Sequence, residues 1–104
     1  MTDEEADGLQ IGAIVEINTN IADDEMNNGY YFELAVPHLT KGLRGVVQFK
    51  RYYMDGTLQD VAVEFPELKF GHNLDCHISQ PRGQYMLPKH LSRVFVGVEN
   101  FEIP

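Results

Sequence analysis

The residues best suited to chemistry lie in one polar stretch that holds two of the histidines and the only cysteine. The stretch contains His72, Asp75, Cys76 and His77. Imidazole, thiolate and carboxylate groups are the ligands that zinc prefers. Cys76 and His77 are adjacent, however, and adjacent side chains diverge in an extended chain. Because no second cysteine is present to complete a common structural zinc site, the spacing does not favour a metal centre.

The same stretch raises the question of a cysteine nucleophile. A reactive thiol needs a base within reach and a lowered pKa, and His72 and His77 are the nearest bases to Cys76 in sequence. No residue pattern supplies the oxyanion-stabilising groups that such a mechanism requires. We therefore predict a protein that is not an enzyme and uses no cofactor. We expect His72 and Asp75 to be structural and to hydrogen-bond the loop backbone.

A second set of candidates consists of tyrosines beside turns. Tyr30 and Tyr31 follow a run of turn-forming residues, and Tyr52 and Tyr53 precede an Asp-Gly pair. Tyrosine rings give rigid contact area at a low entropy cost, which suits a protein interface. The same rings would also fill the core of a chain that has no tryptophan. The sequence leaves both alternatives open for each ring.

Acidic residues accompany the first pair of tyrosines. Asp23, Asp24 and Glu25 lie just before them, and the whole chain has 16 acidic and 8 basic residues, a formal net charge of -8. This balance repels nucleic acid phosphates, which bind lysine and arginine. We expect these acidic residues and the four tyrosines to form one face that binds a partner protein with a basic surface. The alternative is an acidic inhibitor whose carboxylates imitate phosphates and block the basic site of a nucleic-acid-binding protein.

Period-two alternation predicts a mainly β fold in which five strands position these residues. The predicted strands are 11–17, 43–53, 57–65, 84–87 and 92–98. Asp55 and Gly56 predict a tight hairpin turn between the second and third strands. Pro88 predicts a single 3₁₀ turn before the fifth. The loop 18–41 is predicted to carry either an extra strand over 30–36 or a helical turn over 22–26.

The alternation also predicts which side chains share a face. On the second strand, Val47, Phe49 and Arg51 fall on one side. On the third strand, the residues Val61, Val63 and Phe65 form the apolar side, which leaves Asp60, Ala62 and Glu64 on the polar side.

The length of 104 residues predicts one domain. We expect a flexible acidic tail over 1–10, since it lacks enough apolar surface to offset its ordering entropy, and a single domain over 11–104. No apolar run is long enough to span a bilayer, and the start lacks the basic and apolar parts of a secretory signal. We therefore expect a cytoplasmic protein without membrane contact.

The order of elements is that of an SH3-like barrel, and several short motifs extend this likeness. They are Gly42-Leu43-Arg44-Gly45-Val46-Val47, Val63-Glu64-Phe65, His72-Asn73-Leu74-Asp75 and Pro88-Lys89-His90-Leu91. In these the chain resembles small SH3-like β-barrel proteins that bacteria and their phages encode. Cys76 stands where the pattern has glycine, and the loop 18–41 is not part of the pattern. The resemblance implies a five-stranded barrel and a non-catalytic accessory protein that binds another protein, in the host cytoplasm if a phage encodes it.

Overall fold

A computed structural model describes residues 1–95. The strands are β1 (Ile14–Ile17), β2 (Arg44–Tyr52), β3 (Leu58–Glu64), β4 (Gly83–Met86) and β5 (Leu91–Arg93). They form one antiparallel sheet in the order β4-β3-β2-β1-β5. The prediction of a mainly β fold is therefore confirmed, and each predicted segment overlaps one strand, although β4 and β5 each begin one residue earlier than predicted. The end of the fifth predicted segment, 96–98, lies outside the described residues.

The sheet is open rather than closed into a barrel. Within residues 1–95, β4 pairs only with β3 among the named strands, and β5 pairs only with β1. The outer edge of β4 is covered at one point by His72, which exchanges two backbone hydrogen bonds with Gly83 at 2.8 and 3.0 Å. The elements therefore follow one another along the chain as predicted, but the predicted closure into a barrel is wrong.

The core lies against one face of this sheet. The alternation in β3 places Val61 and Val63 in it, and Phe65 follows just beyond the strand; all three side chains are buried, as predicted. Val15, Ile17 and Val47 enter the same cluster from β1 and β2. β-branched residues favour the extended backbone and pack well on a pleated surface, which explains why these segments form the sheet.

The second strand is irregular, and this changes its faces. The pairing register with β3 shifts between Val47 and Phe49. A bulge of this kind places an extra residue in one strand and re-aims the side chains that follow. Val47 is therefore in the core, whereas Phe49 lies 6.0 Å from Tyr85 on the other face of the sheet, measured between ring centroids. The prediction that Val47 shares a face with Phe49 and Arg51 is wrong for this reason, whereas Phe49 and Arg51 do share one, since both contact the Tyr85 ring.

The N-terminal segment differs from the flexible tail that its composition predicts. A helix, α1 (Asp3–Asp7), is capped at its N-terminus by Thr2, whose side chain forms a capping box with that of Glu5. Ala6 is buried against the core cluster, and Leu9, just beyond the helix, is buried with it. Lys50 donates hydrogen bonds to the Asp7 and Leu9 carbonyls at 2.5 and 2.9 Å. No helix within residues 1–95 is both long and apolar enough to cross a membrane.

The long loop 18–41 contains helical turns and no strand. Three 3₁₀ turns are present, at Ile21–Asp23, Asn28–Tyr30 and Val36–His38. Of the two predicted alternatives, the structure has the helical one, although the turn begins one residue earlier than predicted. Four buried side chains hold the loop from within, namely Ile21, Tyr31, Ala35 and Leu39. The loop is therefore an ordered layer on the core.

Candidate functional site

The structure separates the tyrosines that the sequence grouped. Tyr31 is only 5% exposed and belongs to the core, whereas Tyr30, Tyr52 and Tyr53 are exposed. Tyr52 donates a hydrogen bond to the Asp7 carboxylate at 2.5 Å, on the side of the sheet where α1 lies. Tyr30 lies on the opposite side, against Asp60. The predicted residues therefore do not form one continuous face.

Tyr31 belongs to a buried network that fixes the long loop. Its hydroxyl donates to Nδ1 of His90 at 2.7 Å and accepts from the Leu87 N–H at 2.9 Å. Nε2 of His90 donates to Asp24 at 2.7 Å, and Asn27 also donates to that carboxylate. We call Asp24, His90 and Tyr31 the anchor network. It ties the loop to the 3₁₀ turn Pro88–His90.

Two members of the anchor network have shifted pKa values. The hydrogen bond from His90, followed by that from Asn27, holds the pKa of Asp24 below its usual value. Burial raises the pKa of the Tyr31 hydroxyl. Of the predicted acidic residues, Asp24 is thus used internally, whereas Asp23 and Glu25 are exposed.

A second polar cluster surrounds Asp60, which is fully buried. Nε and Nη2 of Arg51 donate to its two oxygens at 2.8 and 2.6 Å, and the Tyr30 hydroxyl donates to it as well. The Arg51 guanidinium stacks 3.4 Å from the centre of the Tyr85 ring. Burial, followed by the bond to Asp60, raises the pKa of Tyr30 to about 12. The alternation of β3 predicted that Asp60 faces solvent, and this prediction is wrong because Arg51 and Tyr30 cover the carboxylate.

The stretch with the cysteine and two histidines forms a turn with unusual backbone angles. Leu74, Asp75 and Cys76 have φ values of 53, 56 and 71°, in the left-handed region that favours glycine. Asn73 holds this turn by accepting the Cys76 N–H at 3.1 Å. Leu74 is buried beside Gly83, where an added Cβ would clash with it. The turn is thus held by one leucine from inside and one asparagine from outside.

The predicted residues of this turn have separate roles. Nδ1 of His72 accepts the Leu74 N–H at 3.1 Å, and the carboxylate of Asp75 accepts from the Tyr85 hydroxyl instead of from the backbone. Cys76 is exposed, and its thiol lies 3.6 Å from the Asn73 amide nitrogen. In the described part of the chain, no group of three or more metal-binding side chains is placed to hold an ion.

The acidity of His72 leads to a testable pH dependence. Burial lowers the pKa of His72 from its ordinary value of 6.5, so the unfolded chain takes up the proton more readily than the folded one. The stability that this residue contributes should be complete above about pH 6.5 and fall as the pH drops through that value. Urea unfolding between pH 7.5 and 5.5 measures it. His72→Gln should flatten this slope, whereas His38→Gln, at an exposed histidine, should keep it. An unchanged slope in His72→Gln would contradict the assignment.

The outer surface of the long loop carries large exposed apolar side chains. Met26, Phe32 and Leu34 are 94%, 51% and 61% exposed. Exposed carboxylates are interspersed with them, and we call the whole set the loop face: Met26, Phe32 and Leu34 with Asp23, Glu25 and Glu33. The three apolar members are not among the residues that the sequence predicted for partner binding. Their only signal was the presence of apolar residues in a segment otherwise made of turn formers and acids.

Comparison with known proteins leaves the family open. No family model, curated protein or solved structure matches the chain.

Proposed function

We propose that this protein is a non-catalytic SH3-like module that binds a partner protein through the loop face. One observation carries the proposal: the loop is fixed from within by buried residues, yet it exposes large apolar side chains outward. An ordered loop loses little further conformational freedom when it binds, so more of the contact energy contributes to affinity. Large apolar side chains that stay exposed among polar residues of an ordered segment are typical of interaction sites.

The SH3-like part of the proposal is supported by the order of elements. A long loop separates β1 from β2, a tight turn with Gly56 at a φ of 90° joins β2 to β3, and a 3₁₀ turn precedes β5. The sheet order brings the first and last strands side by side. This arrangement leaves the long loop exposed beside the sheet, where it is accessible to another protein.

The charge of the loop face favours a basic partner. Asp23, Glu25 and Glu33 are exposed beside the apolar members, and the chain as a whole carries a net charge of -8. Complementary charge speeds encounter and selects against acidic partners, while buried apolar contact supplies most of the affinity. The partner we propose is a protein with an apolar patch surrounded by lysine or arginine, and this chain is its accessory module.

Photo-crosslinking followed by a binding measurement tests this function. A photoreactive amino acid in place of Leu34 should crosslink one protein in a lysate of the producing cells. Binding of that purified protein is then measured. The double variant Phe32→Ser/Leu34→Ser should raise its Kd by about tenfold or more, because two apolar contacts are lost.

The matched control is Tyr53→Ser/Met54→Ser, which removes two exposed apolar side chains from the tip of the β2–β3 hairpin. It should leave the Kd unchanged within about twofold, a difference of roughly 0.4 kcal/mol. Loss of binding in the control alone would place the interface at the hairpin and overturn the loop face. Equal loss in both would also overturn the proposal that the loop face alone binds the partner, because the hairpin tip would then contribute as much.

The second candidate is the acidic inhibitor of a nucleic-acid-binding protein. It is favoured by the way the basic residues are used: Arg44, Arg51 and Arg82 form ion pairs, and Lys50 binds the end of α1. Four of the eight basic residues are therefore engaged within the chain, whereas these ion pairs use only three of the 16 acidic residues, Glu16, Asp60 and Glu64. A complex held together by this charge should dissociate in 0.5 M salt, because exposed charges more than about 4 Å apart are then largely screened. A complex held together by apolar contacts should persist.

A further inference from the structure

A surface pocket opens beside the loop face. Its volume is about 410 Å³, which lies within the range of small ligand sites, roughly 300–1,000 Å³. The residues that line it are Asn28, Gly29, Tyr31, Glu33, Val36 and Pro37. Tyr31, Val36 and Pro37 give it apolar walls, whereas Asn28 and Glu33 give it polar groups. Because the anchor network holds Tyr31 in place, this wall of the pocket is preformed.

The pocket has one charged residue, and it is negative. Glu33 is exposed, and none of the ion pairs found among residues 1–95 includes it. The side-chain amide N–H of Asn28 donates a hydrogen bond to the Ala22 carbonyl at 3.3 Å. The loop 18–41 contains four carboxylates and a single lysine, Lys41. The local field therefore attracts a cation.

We infer that this pocket receives an arginine side chain of the partner protein, an inference that rests on the proposed function. The apolar stem of arginine fits the Tyr31, Val36 and Pro37 walls, since such stems pack on apolar surface while the charged end stays near water. The planar guanidinium matches a carboxylate with two parallel hydrogen bonds, and Glu33 supplies that carboxylate. A purely apolar side chain would desolvate Glu33 without compensation.

Nuclear magnetic resonance of the full chain tests the pocket with a defined probe. The probe is an acetylated Gly-Arg-Gly amide, and the comparison peptide carries citrulline, which has nearly the same shape without the charge. The arginine peptide should shift the backbone amide signals of residues 28–36, and the citrulline peptide should not. Glu33→Gln should weaken the binding of the arginine peptide about fivefold, the effect of losing one solvent-exposed charge pair.

The matched control is Glu25→Gln, which removes the same charge from the same loop outside the pocket. It should weaken the peptide less than about twofold, because screening limits exposed charges at a distance. If both variants weaken peptide binding equally, or if the citrulline peptide causes the same signal shifts as the arginine peptide, the assignment of this pocket to an arginine side chain is overturned.

The failure of this inference is distinguishable from failure of the binding function. If the crosslinked partner binds Glu33→Gln as tightly as the native chain but not Phe32→Ser/Leu34→Ser, the arginine pocket is overturned and the function stands. If the arginine peptide shifts the pocket signals but no partner depends on Phe32 and Leu34, the proposed function is overturned and the arginine site is supported.

Discussion

Asp60→Ala should lower the free energy of unfolding by about 3 kcal/mol, which makes it one of the most damaging single changes in the chain. Asp60 is fully buried and accepts hydrogen bonds from Arg51 and Tyr30. Its removal leaves the guanidinium half-buried without a counter-charge and the tyrosine hydroxyl without an acceptor. The estimate lies at the lower end for buried pairs because the Arg51 side chain is 34% exposed to solvent. Urea unfolding monitored by circular dichroism measures the loss.

Two further variants decide whether the buried charge is the cause. Arg51→Met/Asp60→Leu removes both charges and should recover much of the stability, since apolar pairs often replace buried ion pairs at little cost. Glu16→Ala breaks the exposed pair with Arg44 and should cost no more than about 1 kcal/mol. A loss in the double variant as large as in Asp60→Ala would contradict the charge argument and indicate that packing at this position dominates.

Tyr31→Phe should also be strongly destabilising, by about 2–3 kcal/mol, although it removes only one oxygen atom. The hydroxyl donates to Nδ1 of His90 and accepts from the Leu87 N–H, and both groups would lose this buried partner. Each unpaired buried polar group costs about 1–3 kcal/mol. Since the anchor network fixes the long loop, amide hydrogen exchange in residues 21–39 should accelerate more than exchange in β2 and β3.

Tyr53→Phe is the matched control, because the Tyr53 side chain is exposed at the hairpin tip. It should change the free energy of unfolding by less than about 0.5 kcal/mol. If Tyr31→Phe destabilises the chain while the loop amides keep their native protection, the anchor network does not hold the loop. The preformed loop face would then need another explanation.

The sheet could be predicted from sequence because local patterns specify it. The alternation of Val61, Val63 and Phe65 identified the buried side of the third strand, and the Asp55-Gly56 pair identified the hairpin turn. Both signals depend on neighbouring residues alone. The Thr2 to Glu5 capping box was equally local, and it went unrecognised because the acidic composition of the segment suggested a tail.

The candidate site was harder to predict because contacts between distant residues decide it. Tyr30 and Tyr31 are neighbours of the same type, yet one is exposed and the other buried, since His90 and Leu87 supply partners for Tyr31 from 56 or more positions away. Its position in the alternation of β3 makes Asp60 look like a surface residue, but side chains distant in sequence or on the neighbouring strand, Tyr30 and Arg51, bind and cover it. The bulge after Val47 has no local sequence signal at all.

The left-handed turn couples the residue types that positions 74 and 83 can accept. The backbone from Leu74 to Cys76 has positive φ angles, which cost roughly 1 kcal/mol or more for each residue that is not glycine. The burial of the Leu74 side chain offsets part of that cost. The cavity for Leu74 exists only because residue 83 has no side chain. Descendants of this chain that gain a larger residue at Gly83 should therefore carry a smaller one at 74, and the two positions should drift together.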